Sequence, residues 1–259
     1  DITEAELNAG GPYVKHEIPR LGITMPLNEM PRDRQRGSST IESFDWGVID
    51  RPESEWTDTQ SADWAVEKLG QTYDQPFMLA VGFYRPHQPL WAPKKYHDMY
   101  PPESVILPKV LEDDLADLSP TAQDLARYAL TSGRHDTTVE HGQWRNAVSA
   151  YLACISFVDA QLGRVLDALD ASPHADNTMV VLWSDHGWQL GEKEHWGKFT
   201  PWERSTRVPL IVMPAPSAQP AGFSPNTRSA QAVSLLDVYP TVVDLLGVKK
   251  RADLDGHSL

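Results

Sequence analysis

Residues 178–198 (TMVVLWSDHGWQLGEKEHWGK) decide the fold class and locate the candidate site. Their first six residues are an apolar run rich in β-branched side chains, which predicts a short buried strand. Asp185 and His186 follow where that strand ends, Gly187 lets the backbone turn away, and Lys198 comes twelve residues after His186. Ligands bind at the carboxyl ends of strands in open α/β sheets. The stretch therefore predicts a cation and anion site on the rim of a sheet.

Further strands and helices are predicted on both sides of this strand. The predicted strands are residues 77–83 and 208–213, and the predicted amphipathic helices are residues 59–70, 144–169 and 234–246. A proline-rich segment with His87 near its start is predicted to form an ordered loop over the sheet edge. This alternation predicts an α/β fold in which a mixed, largely parallel sheet carries helices on both faces.

Two segments are predicted to lack regular structure. Residues 1–40 contain several prolines, two adjacent glycines and arginines 32, 34 and 36, and they are predicted to be an irregular surface segment whose arginines are solvated. His135 and His141 flank acidic residues, but their spacing matches no standard zinc pattern, and glycines on both sides favour a loop. The chain is predicted to be one partial catalytic domain, with its core in residues 41–259.

Composition excludes several classes of function. With 259 residues, 41% of them hydrophobic, the chain can bury one substantial core. A formal charge of -13 would repel polyanions, so nucleic acid is not an expected partner. The sequence has no run of eighteen apolar residues, so no membrane span is predicted, and these residues contain no secretion leader. A single cysteine excludes an internal disulfide framework. The oligomeric state is left open.

Five segments along the chain carry a resemblance to one known family. They are residues 77–89 (FMLAVGFYRPHQP), 156–164 (SFVDAQLGR), 184–198, 206–214 (TRVPLIVMP) and 236–246 (LDVYPTVVDLL). In content and order they resemble the sulfatases of the alkaline-phosphatase-like superfamily, in particular the iduronate-2-sulfatase-like branch. The resemblance covers roughly residues 40–259. It implies a three-layer α/β/α sandwich and a sulfuric ester hydrolase that acts on a sulfated sugar or glycosaminoglycan.

The resemblance also implies roles for individual residues. Asp185 and His186 match two ligands of a divalent cation, commonly calcium, although an imidazole is the less usual ligand for that ion. Lys198 matches the lysine that contacts sulfate oxygens, and its ammonium suits a tetrahedral anion. His87 matches a histidine near the leaving-group oxygen, where an imidazole can protonate an alkoxide near neutral pH. His195 is a candidate substrate contact.

The sequence departs from the family pattern at the nucleophile. Sulfatases carry a cysteine or serine, oxidised to formylglycine, in a short motif with proline or alanine and arginine, and no segment here fits it. Cys154 lies in a helix-periodic apolar setting, which predicts a buried core thiol. The family's first Asp-Asp pair is absent as well, because Asp113 and Asp114 follow no apolar strand and are predicted to be solvated.

These departures predict a fragment that lacks N-terminal strands and is inactive by itself. The sequence stops in a turn at Leu254–Leu259, which in the family leads on to a C-terminal subdomain, so that subdomain is expected to be missing as well. Two alternatives remain: a phosphoester or phosphonate hydrolase of the same superfamily, and a non-catalytic remnant that binds an acidic ligand. The phosphoester or phosphonate hydrolase would differ from a sulfatase in its nucleophile. A non-catalytic remnant would have no chemical need for the four retained site residues, which speaks against it; these residues are His87, Asp185, His186 and Lys198. The family resemblance implies a periplasmic, secreted or lysosome-like location.

Overall fold

The computed structural model describes residues 16–31, 43–129 and 132–259. These residues form two compact units. The first unit contains the described residues up to Leu169 together with His186–Arg207, and the second contains Asp170–Asp185 together with Val208–Leu259. The boundary passes between Asp185 and His186, so the two residues of the predicted metal pair are described with different units.

The helices agree with the three that periodicity predicts and add shorter ones. Within the described residues the α-helices are α1 (Thr57–Leu69), α2 (Lys94–His97), α3 (Pro120–Ala126), α4 (His135–Glu140), α5 (Trp144–Asp170), α6 (Glu203–Thr206) and α7 (Val238–Leu245). Single 3-10 turns occupy Pro19–Leu21, Glu53–Glu55, Pro102–Ser104, Ala175–Asn177, Glu192–Glu194, Pro216–Ala218 and Leu235–Asp237. None of the described helices is long and apolar enough to cross a membrane.

The strands are short and pair two by two. They are β1 (His16–Ile18), β2 (Ile23–Met25), β3 (Trp46–Val48), β4 (Leu90–Ala92), β5 (Val180–Trp183), β6 (Gln189–Leu190), β7 (Trp196–Gly197) and β8 (Leu210–Met213). The pair β3–β4 is parallel, and the pairs β1–β2, β5–β8 and β6–β7 are antiparallel. The predicted α/β class is confirmed, and the parallel part of the predicted mixed sheet is small in the described residues.

Helix α5 organises the core of the first unit. Its apolar side chains recur at three- and four-residue steps, as the sequence predicts, and Ala147, Ala153, Cys154 and Phe157 are completely buried. Phe157 makes edge contacts with the ring of Trp56. The periodic apolar face is what fixes this helix in place, since burying a large side chain contributes about 1.5–3 kcal/mol.

Cys154 is the buried core thiol that the sequence predicts. It is a free cysteine, and its Sγ donates to the carbonyl oxygen of Trp91 at 3.5 Å. Burial raises the pKa of the thiol to about 12. Because the thiolate is the nucleophilic form of cysteine, this residue is chemically inert near neutral pH.

The prediction of a strand at residues 77–83 is wrong, because the segment is extended but pairs with no other strand among the described residues. The segment alternates between half-buried and exposed residues, as an extended chain does, and Met78 is 91% exposed. However, none of the described residues forms a ladder with it. A strand is stabilised by a neighbour that accepts and donates its backbone hydrogen bonds, and the apolar pattern alone does not supply one.

Three other predictions need correction. Residues 16–25 form the β1–β2 hairpin, so this part of residues 1–40 is not irregular; arginines 32, 34 and 36 lie outside the described residues. Residues 135–140 form α4, not a loop. The strands β5 and β8 are partly exposed instead of fully buried, because each has a single neighbour in the described ladders.

Helix α7 ends as predicted. Ser234 and Asp237 form a capping box on the 3-10 turn before it. Gly247 follows the helix with a φ of +63°, the left-handed conformation that glycine adopts without strain at a helix end.

Candidate active site

Three of the predicted site residues come together in the first unit. The Nζ atom of Lys198 lies 2.6 Å from Nε2 of His186. The rings of His87 and His186 are 6.2 Å apart, and the Trp188 ring packs 5.4 Å from His87 and 6.1 Å from His186. Two imidazoles and an ammonium therefore lie close together beside a buried indole, although the loop that carries His87 is far in sequence from the motif that carries His186 and Lys198.

The local backbone fixes the ring of His87. Its Nδ1 lies 2.8 Å from the carbonyl oxygen of Gln88, and the Tyr84 hydroxyl donates to the same oxygen at 2.7 Å. A carbonyl oxygen only accepts hydrogen bonds, so Nδ1 carries a proton. The backbone N–H of His87 donates to the oxygen of Tyr84, which closes a tight turn around the ring.

A buried carboxylate holds the segment that leads to His87. Asp58, in the first turn of α1, is 3% exposed and accepts hydrogen bonds from the backbone N–H groups of Tyr84 at 2.6 Å and Arg85 at 3.1 Å. The Nε atom of Arg85 donates to the oxygen of Trp91 at 2.6 Å. The sequence analysis missed Asp58, because an acidic residue in the first turn of a helix is usually explained by the helix dipole.

The side chain of Gln88 ties the same loop to other segments. Its amide nitrogen donates to the Ser43 hydroxyl at 2.9 Å, and its amide oxygen accepts from the Ser132 hydroxyl at 2.9 Å. Gln88 is buried, so both of its polar ends need these partners. The turn that carries His87 is thus fastened by one buried carboxylate and one buried amide.

The orientation of His186 follows from its neighbours. Nδ1 lies 2.9 Å from the carbonyl oxygen of Gly187, so this nitrogen carries the proton and Nε2 presents its lone pair to the Lys198 ammonium. Gly187 is required here, because a Cβ atom at this position would lie 2.0 Å from the backbone oxygen of Arg204. Its own N–H donates to Ser205 at 2.8 Å, which brings the two segments into contact.

The backbone of Lys198 is held by His195. The Nε2 atom of His195 lies 2.7 Å from the Lys198 oxygen, and its Nδ1 lies 2.7 Å from the Ala126 oxygen. His195 is 5% exposed, and both ring nitrogens face backbone carbonyl oxygens. In this geometry His195 holds the backbone of Lys198, and the predicted substrate contact stays a prediction. Spacing within the motif could not show this, because Ala126 is distant in sequence.

Comparison with known proteins identifies the family. A family model described as Sulfatase matches residues 24–248. The chain belongs to the sulfatase family. A sulfatase of Formosa agariphila is 40% identical over 227 residues, which cover 87% of this chain and 43% of the relative. The iduronate 2-sulfatase of Homo sapiens is 32% identical over 231 residues, which cover 78% of this chain and 42% of that enzyme.

A solved structure supports the fold of this sulfatase chain. The phosphonate monoester hydrolase SpPMH from Silicibacter pomeroyi aligns with a TM-score of 0.72 and 24% identity over 99% of this chain and 48% of that one. The predicted alkaline-phosphatase-like α/β fold is confirmed. This sulfatase chain spans less than half the length of each of these three proteins.

Membership of the sulfatase family implies a divalent cation, and the residues present could provide part of the ligand shell of such an ion. Asp185 is exposed directly after β5 and offers a carboxylate, and His186 offers the Nε2 lone pair. Calcium takes about 6–8 ligands. In residues 16–31, 43–129 and 132–259, no group of three or more His, Cys, Asp or Glu side chains is placed to hold a metal ion. Each of these two side chains has the chemistry of a metal ligand, and the described residues do not complete a shell for such an ion.

Within the acidic pair at residues 113 and 114, Asp114 has a structural role. Asp114 accepts from Lys193 Nζ at 2.9 Å, and the hydrogen bond with Asp114 raises the pKa of Lys193. The side chain of Asp114 is 12% exposed, so the prediction of a solvated residue is wrong for Asp114. The ion pair connects its loop to the motif turn at Glu192–Glu194.

Proposed function

We propose that this chain is the distal part of a sulfuric ester hydrolase that cleaves the sulfate ester of a sugar. The observation that carries the proposal is the convergence of His87, His186 and Lys198 in a chain of the sulfatase family. Besides a nucleophile, hydrolysis of a sulfate ester needs groups that bind a cation, bind the anionic oxygens and donate a proton, and these three side chains have that chemistry.

Lys198 is proposed to bind the sulfate group. Lys198 is half-buried, and His195 holds its backbone oxygen. A point charge with three N–H donors neutralises the oxygens of a tetrahedral anion without demanding a planar geometry. The negative charge that accumulates on these oxygens as the sulfur is attacked makes this contact stronger in the transition state.

His87 is proposed to protonate the leaving alcohol. The Gln88 carbonyl oxygen holds the Nδ1 proton, so that Nε2 delivers the second proton of the imidazolium when the S–O bond to the alcohol breaks. The same hydrogen bond stabilises the imidazolium before transfer. The buried contacts of Asp58 and Gln88 keep the ring in one orientation, as general acid catalysis needs.

Two components of the proposed reaction, the metal ion and the nucleophile, are not among the described side chains. A bound divalent cation, which we propose to be calcium held partly by Asp185 and His186, supplies charge stabilisation to the sulfate oxygens. A formylglycine, for which these residues contain no motif, is proposed to lie in another segment and to supply the nucleophile. The sugar is proposed to be a uronate, because one relative is an iduronate 2-sulfatase.

Activity of the parent gene product tests the proposal. A product that contains a formylglycine segment is expected to hydrolyse an aryl sulfate and a sulfated uronate. His87→Asn and Lys198→Met are each expected to lower kcat/KM by about 100-fold or more. The 259-residue chain alone is expected to give no turnover. Wild-type hydrolysis by that chain, or by both variants, would contradict the proposal.

A second candidate is a phosphonate or phosphoester hydrolase. The fold match with the Silicibacter pomeroyi phosphonate monoester hydrolase favours it, although 24% identity supports the fold alone. Hydrolysis of an aryl sulfate and an aryl phosphonate monoester should be compared with the same preparation. A higher kcat/KM for the phosphonate would support this candidate over the sulfatase.

A further inference from the structure

Phe199 is an exposed aromatic residue in a strained backbone conformation. Its φ is +71°, in the left-handed region that a bulky side chain rarely adopts, and the residue is 52% exposed. The ring is not part of the hydrophobic core cluster of the described residues, so burial there does not explain the strain. The other described non-glycine residues with positive φ are polar, namely Glu29, Lys193, Glu194 and Asn226.

The residues on both sides of Phe199 fix the backbone around it. Before it, His195 bonds to the Lys198 oxygen at 2.7 Å. After it, Thr200 is buried, and its hydroxyl forms hydrogen bonds with the side chains of Gln189 and Ser205. Strained residues persist only where their surroundings determine the conformation, and they cluster at functional sites and ligand clamps. The fold therefore presents this ring to solvent against its own backbone preference.

The ring of Phe199 adjoins the group proposed to bind sulfate. Its centre lies 5.6 Å from Nζ of Lys198. In a sulfate ester a single oxygen joins the sulfur to the alcohol, so a sulfate bound at Lys198 brings the sugar close to this ring. A pyranose carries C–H groups on its faces and hydroxyls around its edge. An exposed aromatic ring is suited to pack against such an apolar face.

Tyr84 is a comparable exposed ring beside His87, but its position has a structural explanation. The residue is 49% exposed, and its ring centre lies 5.1 Å from that of His87. Its hydroxyl donates to the Gln88 oxygen at 2.7 Å and so helps to close the His87 turn. Phe199 has no polar group on its side chain that could give it a similar role.

We propose that Phe199 is a sugar-binding residue whose ring packs against the C–H face of the pyranose that carries the sulfate. The inference rests on the proposed function, because it takes the sulfate to be bound at Lys198. Lys198 then recognises the anion, and Phe199 recognises the ring to which the anion is attached. The strain at Phe199 lowers the stability of the free protein and places the ring where the ligand meets it.

Steady-state kinetics of the parent gene product test the proposal. Phe199→Ala should raise KM for a sulfated uronate about tenfold, as expected for the loss of one aromatic contact, and change kcat by less than about twofold. Inorganic sulfate is the product that lacks the sugar, so its inhibition constant should be the same for the variant and wild type. Phe199→Tyr keeps the ring and should restore KM.

A matched control removes an exposed ring elsewhere in the same unit. Trp64 on α1 is 47% exposed, close to the exposed fraction of Phe199. Trp64→Ala should leave KM for the sulfated uronate within about twofold of wild type, as expected for a surface substitution. A rise in KM for Trp64→Ala equal to that for Phe199→Ala would overturn the proposal.

Thermal unfolding separates a ligand contact from a packing contact. Phe199→Gly and Phe199→Ala both remove the ring, but glycine alone adopts a positive φ without strain. Phe199→Gly should therefore melt above Phe199→Ala and no lower than wild type. A melting temperature of Phe199→Gly well below that of wild type would show that the ring packs against protein, and would overturn the proposal.

The outcomes distinguish this proposal from the proposed function. An unchanged KM in Phe199→Ala, or equal losses of sugar and sulfate affinity, would overturn the sugar contact and leave sulfate ester hydrolysis by wild type intact. If the wild-type product hydrolyses no sulfate ester, the proposed function fails. Titration calorimetry with the same sugar sulfate then measures the contact without turnover, and equal dissociation constants for wild type and Phe199→Ala overturn it.

Discussion

The apolar face of α5 and the apolar segment 77–83 have similar side chains and opposite surroundings. Phe157 on α5 is completely buried among aromatic rings, whereas Met78 in the other segment is 91% exposed. Both patterns predict burial in the sequence. The difference teaches that an apolar pattern gives a segment the capacity to be buried, and a partner of complementary shape is what buries it.

The candidate site is attached to the well-packed core and not to the exposed segment 77–83. Residues 77–83 are unpaired in the described ladders, but the chain becomes firmly held as soon as it reaches Tyr84 and Arg85, which Asp58 binds. Trp91 then accepts hydrogen bonds from both Arg85 and Cys154, which connects the His87 loop to α5. The site residues are thus positioned by the core, not by the adjacent extended segment.

The largest contrast is expected from side-chain truncation in the two segments. Phe157→Ala should lower the free energy of unfolding by about 3–5 kcal/mol, since it removes a fully buried ring and leaves a cavity. Met78→Ala should change it by less than about 0.5 kcal/mol, because the side chain is already in solvent. Urea denaturation followed by circular dichroism measures both. Similar losses in the two variants would mean that residues 77–83 are buried in solution.

Glycine substitutions sharpen the same comparison on the backbone. Gly187→Ala should cost about 3 kcal/mol, because its Cβ would lie 2.0 Å from the backbone oxygen of Arg204. Gly82→Ala has no atom within 4 Å of the added Cβ, so its effect should be below about 1 kcal/mol and in the stabilising direction. Thermal unfolding of the two variants is the measurement, and a tolerated Gly187→Ala would contradict the close approach.

A third contrast compares two carboxylates of α1. Asp58→Asn should cost about 2 kcal/mol, since the amide keeps one acceptor and presents N–H groups to a backbone donor. Asp63→Asn, which breaks the exposed pair with Arg164, should cost less than about 1 kcal/mol. Denaturation curves test stability, and histidine NMR signals report whether His87 becomes mobile. Equal costs would rule out a special role for Asp58.

The smallest expected effect is the pH dependence from His135. Burial lowers its pKa below the ordinary 6.5, against the opposing charges of Glu194, Asp136 and Glu192, and its Nδ1 accepts from the Trp196 indole. The neutral ring is therefore favoured in the fold. Its contribution is fully present above the unfolded pKa and is lost as the pH falls below it.

A conservative variant measures this contribution. In His135→Asn the amide oxygen can still accept from Trp196 and has no proton to gain. The free energy of unfolding of this variant should decline less than that of wild type between about pH 7.5 and about pH 5. A steeper decline in His135→Asn would show that the charged ring is the favoured form.

Much of the site was predictable because its motif is local. A strand, an Asp-His pair, a glycine and a lysine all lie within residues 178–198, and the family resemblance then selected His87 from the proline-rich loop. The contacts of His195 and Asp114 were not predictable, because their partners Ala126 and Lys193 are distant in sequence. The strand prediction for residues 77–83 failed for the same reason, because apolar composition does not show whether a neighbouring strand is there to pair with the segment.

The sequence by itself determined the family and the long helices and named the candidate site residues, since periodicity and motif spacing are properties of the chain. Tertiary structure alone decided that Asp58 holds the His87 loop, that His195 supports Lys198, and that the ammonium meets Nε2 of His186. The physical reason is that hydrogen bonds and burial depend on groups brought together by folding, and no local pattern records which distant donor a given acceptor will meet.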